Sequence, residues 1–192
     1  MELTQELAAE YERLWTNVIV TPRHEQFAQV FRIAGEAKKA RGRYEKVAIP
    51  FDMPWEVVAA IHSLEGSSDW TTHLHNGDSL KRRTVNEPSG RPERGHPPFT
   101  WEESALDALS MKHPEKFAPW TIATTLFFLE RYNGFGYRQH HPDVKSPYLW
   151  SFTSAYTAGK YIADGTFSRT AVSAQAGAVP ILKALNYEGE SA

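Results

Sequence analysis

The sequence predicts a mainly α fold with one small β-hairpin. Apolar residues recur at intervals of three and four in one segment after another, which is the signature of amphipathic helices. Only TTHLHNGDSLKRRTV, residues 71–85, carries the pattern of two short strands about an Asn-Gly turn. The length of 192 residues fits one globular domain with a sizeable core, and an apolar share of 41% with 23% charged residues argues against disorder. The expected organisation is therefore one domain over 1–192, in which 1–43 are N-terminal packing helices and 54–185 form the functional core.

The elements follow in order. Residues from about Thr4 to Val20 form a helix with Leu7, Tyr11, Leu14, Trp15 and Val18 on one stripe. A second, from about Pro22 to Arg41, has Pro22 just inside its start and Phe27, Val30, Phe31 and Ala34 facing inward. The run KKARGR reads as a solvated helix end, and Tyr44 to Phe51 as an irregular or extended lead into the next helix. That helix, PWEVVAAIHSLEG, opens at Pro54, carries Val57, Val58, Ile61 and Leu64, and closes at Gly66, which can adopt a left-handed conformation. The hairpin about Asn76 and Gly77 comes next, and NEPSGRPERGHPPF, with its many Pro and Gly residues, is an ordered loop or lid. Thr100 and Glu103 form a capping box for WEESALDALSM. The most hydrophobic helix, with Ile122, Leu126, Phe127 and Leu129, ends at NGFGY. A helical stretch near Ser151 to Ile162 and a last helix from about Arg169 to Leu185, kinked or broken at Pro180, complete the chain.

Composition narrows the function classes. A net charge of −2 gives no general electrostatic case for nucleic acid or an anionic membrane surface as partner. With zero Cys there is no disulfide framework and no thiolate metal site. Six Trp and eight Tyr are compatible with an open groove for a neutral polymer. The N-terminus lacks a basic region followed by an apolar run, and no segment is apolar enough to span a bilayer. The expectation is a monomer made in the cytoplasm without a signal peptide, not inserted into a membrane, and working without cofactor or metal.

Glu65 is the leading catalytic candidate. It is expected as the last helical residue, four positions after Ile61 and half-buried on the same side. The helix C-terminus carries partial negative charge and apolar neighbours exclude water, so both effects favour the protonated carboxyl. A protonated carboxyl near neutral pH is what protonation of a glycosidic oxygen requires. The bland reading is a solvent-facing helix end.

Several motifs, in one order, carry a resemblance. PWEVVAAIHSLEGSSDW, HLHNGDSL, RRTV, GRP, PPFTWEESALDAL, ERYNGFGYR and SPYLWSFT together resemble the bacterial and phage "lysozyme family" of peptidoglycan hydrolases. YNGFGY is similar to the YNAG-type motif of lytic transglycosylases and goose-type lysozymes. The resemblance runs from about Tyr44 to the C-terminus. It implies a lysozyme-like fold with a small β-hairpin beside the cleft, and cleavage of the MurNAc-GlcNAc bond of peptidoglycan strands in the manner of an endolysin acting on the wall after release. By the same resemblance Glu65 matches the catalytic glutamate, Tyr132 and Asn133 line the sugar site, and Tyr148 is a cleft tyrosine. Trp101 and His75 join them as candidate substrate contacts. Gly66 stands where transglycosylases have serine, and the Gly-Leu-Met-Gln segment is absent; the HLHNGDSL hairpin takes the place of the segment transglycosylases use there and adds polar groups able to hold a water, so a muramidase is the expected outcome and a lytic transglycosylase the alternative.

A hydrolase needs a second carboxylate, roughly 6.5–9.5 Å from the acid for inversion or about 5–5.5 Å for retention. Asp78, returned toward Glu65 by the hairpin, is the candidate, with Asp69 as alternative. Either residue also suits a purely structural turn. A transglycosylase needs neither. Two rivals come from other classes. His73 and His75 with Asp78, and His62 nearby, have the ligand types of a zinc hydrolase, although no HExxH helix is present. A non-catalytic glycan-binding module is the other, built on Trp70, Trp101, Trp120, Tyr132, Tyr148 and Trp150, most of which suit a core equally well.

Overall fold

A computed structural model describes residues 1–20, 24–163 and 165–190 of the chain. Among the described residues it has nine α-helices, two short 3-10 turns and one two-stranded antiparallel sheet. The chain divides into two compact units, Met1–Gly35 with Pro119–Ala192, and Glu36–Ala118. The divisions fall within the second helix and after Ala118. No helix among the described residues is long and apolar enough to cross a membrane.

The first unit is built on α1 (Gln5–Asn17) and α6 (Ile122–Asn133), which pack against each other. Thr4 caps α1, its Oγ1 accepting from the Leu7 N–H. The middle of α6, from Thr125 to Glu130, is buried without a break, as its apolar sequence requires, and Thr121 caps the helix through the Thr124 N–H. The interior of this unit holds one charge cluster. Glu130, 2% exposed, accepts from the Tyr11 hydroxyl and, at 2.8 Å, from Arg138 Nε. Arg138 also reaches Glu10, which accepts from Lys145 Nζ at 2.7 Å. Burial and the neighbouring carboxylate push the Tyr11 phenol well above its usual range, so it stays protonated and donates to Glu130.

The segment after α6 departs from the sequence expectation. Gly134 (φ 90°) ends α6, and α7 (Gly136–His140) and α8 (Pro147–Trp150) are short. The expected helix near Ser151 to Ile162 is not there. Residues 151–159 are irregular, and Lys160–Ala163 (β1) pairs antiparallel with Thr166–Ser168 (β2). The signal was legible: the β-prone runs Lys-Tyr-Ile-Ala and Thr-Phe-Ser are separated by a short segment with Gly165, which takes φ 65°. Tyr161 and Phe167 form an aromatic cluster with Tyr137 and His141. The last helix, α9 (Ala178–Leu185), is shorter than expected, and Pro180 neither kinks nor breaks it. Pro180 stands in the first turn, where its missing N–H costs no hydrogen bond.

Helix α2 (His24–Lys39) buries Val30, Ile33, Ala34 and Ala37, while Phe27 and Phe31 are 49% and 53% exposed and pack on one another. The inward placing of the two phenylalanines is therefore corrected. The stripe set by Val30, Ile33, Ala34 and Ala37 leaves them on the flank of the helix. Pro22 lies outside the described residues.

In the second unit, residues 41–51 are helical where an extended lead was expected. Helix α3 (Arg41–Ala48) buries Tyr44, Val47 and Ala48, an i, i+3, i+4 pattern, and runs into a 3-10 turn over Ile49–Phe51. It packs on α4 (Trp55–Gly66) and α5 (Trp101–Ser110). Thr100 and Glu103 form the capping box of α5, with Thr100 N–H donating to Glu103 Oε2 at 2.7 Å. The proline-rich loop is ordered. Thr84 N–H donates to the Arg91 carbonyl, Arg91 N–H to Thr84 Oγ1, and Phe99 N–H to the Leu80 carbonyl.

The Glu130 cluster gives a stability prediction. Replacing Glu130 by Ala leaves Arg138 half-buried and the Tyr11 hydroxyl buried without their shared acceptor, a loss of about 3–5 kcal/mol by analogy with broken buried pairs. Urea unfolding of Glu130→Ala against wild type reads the difference. An unchanged midpoint would show that the cluster contributes nothing.

Candidate functional site

The candidate site grows out of α4. Val57, Val58, Ala59, Ala60 and Ile61 are at most 1% exposed, so this helix is buried on more than one face. Its C-terminal end is fixed by a cluster of rings. His62 is fully buried, with Trp70 and Trp101 each 4.6 Å away between ring centroids and Tyr44 at 5.8 Å. His62 Nε2 lies 3.1 Å from the Asp69 carbonyl, an acceptor only, so Nε2 carries the proton. Nδ1 then accepts from the Tyr44 hydroxyl at 2.9 Å. Burial pushes this imidazole down to about 4, which keeps it neutral.

The helix ends one residue later than expected and by a different residue. Gly66 is the last helical position, and Ser67 (φ 52°) and Ser68 (φ 60°) take the left-handed conformations. Gly66 has another reason to be glycine. A Cβ there would lie 3.1 Å from Thr72 Oγ1 and 3.4 Å from the His62 ring. The small residue lets the returning chain close on the helix end.

Glu65, half-buried, stands in this last turn. The segment expected as a hairpin does return to it. A Cβ on Gly77 (φ 78°) would sit 3.3 Å from the Glu65 carbonyl oxygen. The segment is not a β-ladder, however. Thr72 and Ser79 form one isolated bridge, and the intervening residues turn through His73 N–H to the Asp78 carbonyl (2.6 Å) and Gly77 N–H to the His73 carbonyl (2.9 Å). Residues 74–76 are turn, closed by the Gly77 N–H on the His73 carbonyl, so 73–75 are not a strand although all three side chains are buried.

Asp78 is occupied in holding the loop. Its Oδ2 accepts from the Val85 and Asn86 backbone N–H groups at 2.8 and 2.9 Å, and its Oδ1 from Asn86 Nδ2 at 2.7 Å. The backbone N–H of Asn86, with these further donors, holds the carboxyl below the usual range. Such a group is a weak proton acceptor. Asp69, the alternative, is also a turn residue: Oδ1 accepts from the Thr71 N–H and hydroxyl, both at 2.8 Å, and the Thr71 N–H first of all lowers its pKa.

The other expected contacts in this unit are interior groups. The His75 side chain is 1% exposed; Nε2 donates to Asp107 Oδ2 at 2.8 Å, and burial lowers its pKa. His73 Nε2 donates to the Arg82 carbonyl and Nδ1 accepts from Ser104 Oγ at 2.8 Å. Both nitrogens of His73 and of His62 thus have protein partners. Among the described residues no group of three or more His, Cys, Asp and Glu side chains is arranged to hold a metal. Trp101 is 1% exposed and packs against His62, Tyr44 and Trp70, so it supports the helix end from inside and lines no surface.

Tyr132, Asn133 and Tyr148 belong to the first unit. Tyr132 is 9% exposed at the end of α6, Asn133 beside it is exposed, and Tyr148 in α8 is half-exposed. Sequence reasoning missed Arg43. Its guanidinium lies 3.8 Å over the Trp70 ring and makes a two-pronged pair with Glu102 at 2.6 and 3.0 Å. The spacing of Arg43, Tyr44 and Val47 on one short helix was the available signal.

Comparison of the chain with family models, with curated proteins and with solved structures finds no match.

The neutral His62 yields a pH prediction. Its native pKa lies below the unfolded value of about 6.5, so the unfolded chain binds the extra proton. The stabilisation is complete above pH 6.5 and is lost as pH falls toward 4, by about 3 kcal/mol in all. His62→Gln should flatten the dependence of unfolding free energy on pH across that window, measured by urea denaturation. Retention of the full wild-type slope would assign it to other groups.

Proposed function

We propose that this chain is a lysozyme-like enzyme that cleaves the glycan strand of peptidoglycan, with Glu65 as the carboxyl that transfers the proton. The observation that carries the reading is the setting of Glu65: half-buried in the last turn of a helix with a buried core-facing body, where a glycine-bearing loop closes on its carbonyl. The run of motifs from PWEVVAAIHSLEG through YNGFGYR to SPYLW supports the same reading. The partner is the glycan strand. The chemistry calls for no cofactor and no nucleic acid, and the enzyme acts as a monomer on the wall after release from the cytoplasm.

Asp78 decides how the bond is broken. A hydrolase needs a base to deprotonate water, and Asp78 has both oxygens occupied by N–H donors. That observation favours the transglycosylase outcome over the muramidase outcome with Asp78 as base. In the favoured sequence Glu65 donates its proton to the glycosidic oxygen as the C1–O bond breaks, releasing the GlcNAc alcohol. The Glu65 carboxylate then takes the proton of the muramyl 6-hydroxyl as that oxygen attacks C1. The products are a 1,6-anhydro end and a regenerated acid, with no water consumed.

Glu65→Gln keeps size and hydrogen bonding but cannot donate an acidic proton, so release of muropeptides from sacculi should fall by roughly 10²-fold or more. Wild-type clearing by a folded Glu65→Gln would remove Glu65 from the chemistry.

Asp78→Asn tests the outcome. It should keep cleavage within about tenfold of wild type, since no proton passes through Asp78, and mass spectra of both proteins' products should show 1,6-anhydro ends. Reducing ends, heavier by one water, together with a loss as deep as that of Glu65→Gln, would restore the muramidase reading.

A further inference from the structure

Beside the Glu65 helix end the second unit has an open groove of about 740 Å³, within the range of small-ligand sites. One wall comes from the end of α2 and from α3, with Glu36, Lys39, Arg43 and Lys46; the other comes from Ser68 and Trp70, three and five residues beyond Glu65. The run KKARGR, read from sequence as a solvated helix end, supplies part of this wall. Three cations line the groove against one anion in a chain whose net charge is −2, so the local charge runs opposite to the whole.

The wall is preorganised. Arg43 is clamped by Glu102 through Nε and Nη2 and sits over the Trp70 ring, 3.8 Å from its centroid, and His62 and Trp101 back that ring from inside. Its Nη1 has no hydrogen-bond partner among the described residues, and Arg43 is one of the groove's lining residues. Lys39 and Lys46 are exposed and extend the positive stripe. A ligand matching these groups carries carboxylates for the cations and an apolar or amide backbone for the indole. Glu36 sits among the cations and suits an ammonium, so the pattern fits a zwitterionic peptide better than a uniform polyanion.

We propose that this groove receives the peptide stem that peptidoglycan carries on its muramyl sugars, with the stem carboxylates at Lys39, Arg43 and Lys46 and its diamino side chain toward Glu36. The proposal rests on the glycan-strand reading of Glu65 and adds a substrate requirement to it: the enzyme recognises strands that bear stems.

The test uses the full chain and two measurements. Calorimetric titration with the soluble stem L-Ala-γ-D-Glu-L-Lys-D-Ala should show binding that weakens as salt is raised and falls at least about tenfold in Lys39→Glu/Lys46→Glu, because like charges then face the carboxylates. Lys39→Arg/Lys46→Arg should bind as wild type. In parallel, kcat/KM is measured on strands that carry stems and on strands stripped by an amidase. The charge-reversed variant should lose about tenfold on the first and nothing on the second. Cleavage by wild type without stem binding, or equal loss on both polymers, overturns the proposal, as does preference for poly(glycerol phosphate) over the peptide. Salt-sensitive, lysine-dependent binding of the stem by a protein that cleaves neither polymer would sustain the groove and overturn the glycan-strand reading instead.

Discussion

The second unit depends on keeping one imidazole dry and neutral. His62 is the hinge between the apolar body of α4 and the chain that returns past it: Nδ1 takes the Tyr44 hydroxyl from α3 and Nε2 donates to the Asp69 carbonyl beyond the helix end. Each hydrogen bond satisfies a group that would otherwise be buried unpaired, at a cost of roughly 1–3 kcal/mol apiece. The rings of Trp70 and Trp101 close over the imidazole and remove it from water. Because the same contacts set where α4 stops, they also set where Glu65 stands.

The neighbouring loop shows how a carboxylate can be removed from chemistry by being used for structure. Residues 73–86 have little regular backbone pairing, so their N–H groups need other acceptors. Asp78 meets two of these donors at once and the Asn86 side-chain amide as well, which ties Val85 and Asn86 to the turn. A group stabilised in this way as an anion is a poor base, and a reaction that needs only Glu65 avoids that conflict. The Arg43–Glu102 pair plays a related part on the other side, since a clamped guanidinium sits over the Trp70 ring at the edge of the groove.

In the first unit the equivalent constraint is electrostatic. Glu130 is nearly inaccessible, and it is tolerated in the interior of α6 because Tyr11 and Arg138 supply donors to it. Those donors come from α1 and α7, so the buried charge ties the N-terminal helix to the segment that follows YNG.

The sequence by itself determined the helical elements whose apolar spacing is strong: α1, α4, α5 with its capping box, and α6 are all read from it within a few residues. It also placed Glu65 in the last turn of a helix, one residue short of the end at Gly66, and had an Asn-Gly turn return to it. Tertiary structure decided the rest. Helix α3 went unread because Tyr44, Val47 and Ala48 make too short a stripe to stand out in a window with Pro50 at its end. The sheet lies at 160–168 and not about Asn76-Gly77, where only the Thr72–Ser79 bridge forms and the backbone N–H groups of Val85 and Asn86 go to the Asp78 carboxylate and not to a partner strand. Gly66 read as a left-handed terminator, yet it is helical and leaves room for Thr72 and His62 to pack closely on it, while Ser67 turns the chain. The types of Asp78, His75 and Trp101 suit chemistry or binding equally in any sequence. Only the hydrogen bonds and neighbours brought to them by distant residues, Asn86, Asp107 and His62, fix each in a structural role, because a side chain's availability depends on what surrounds it in space.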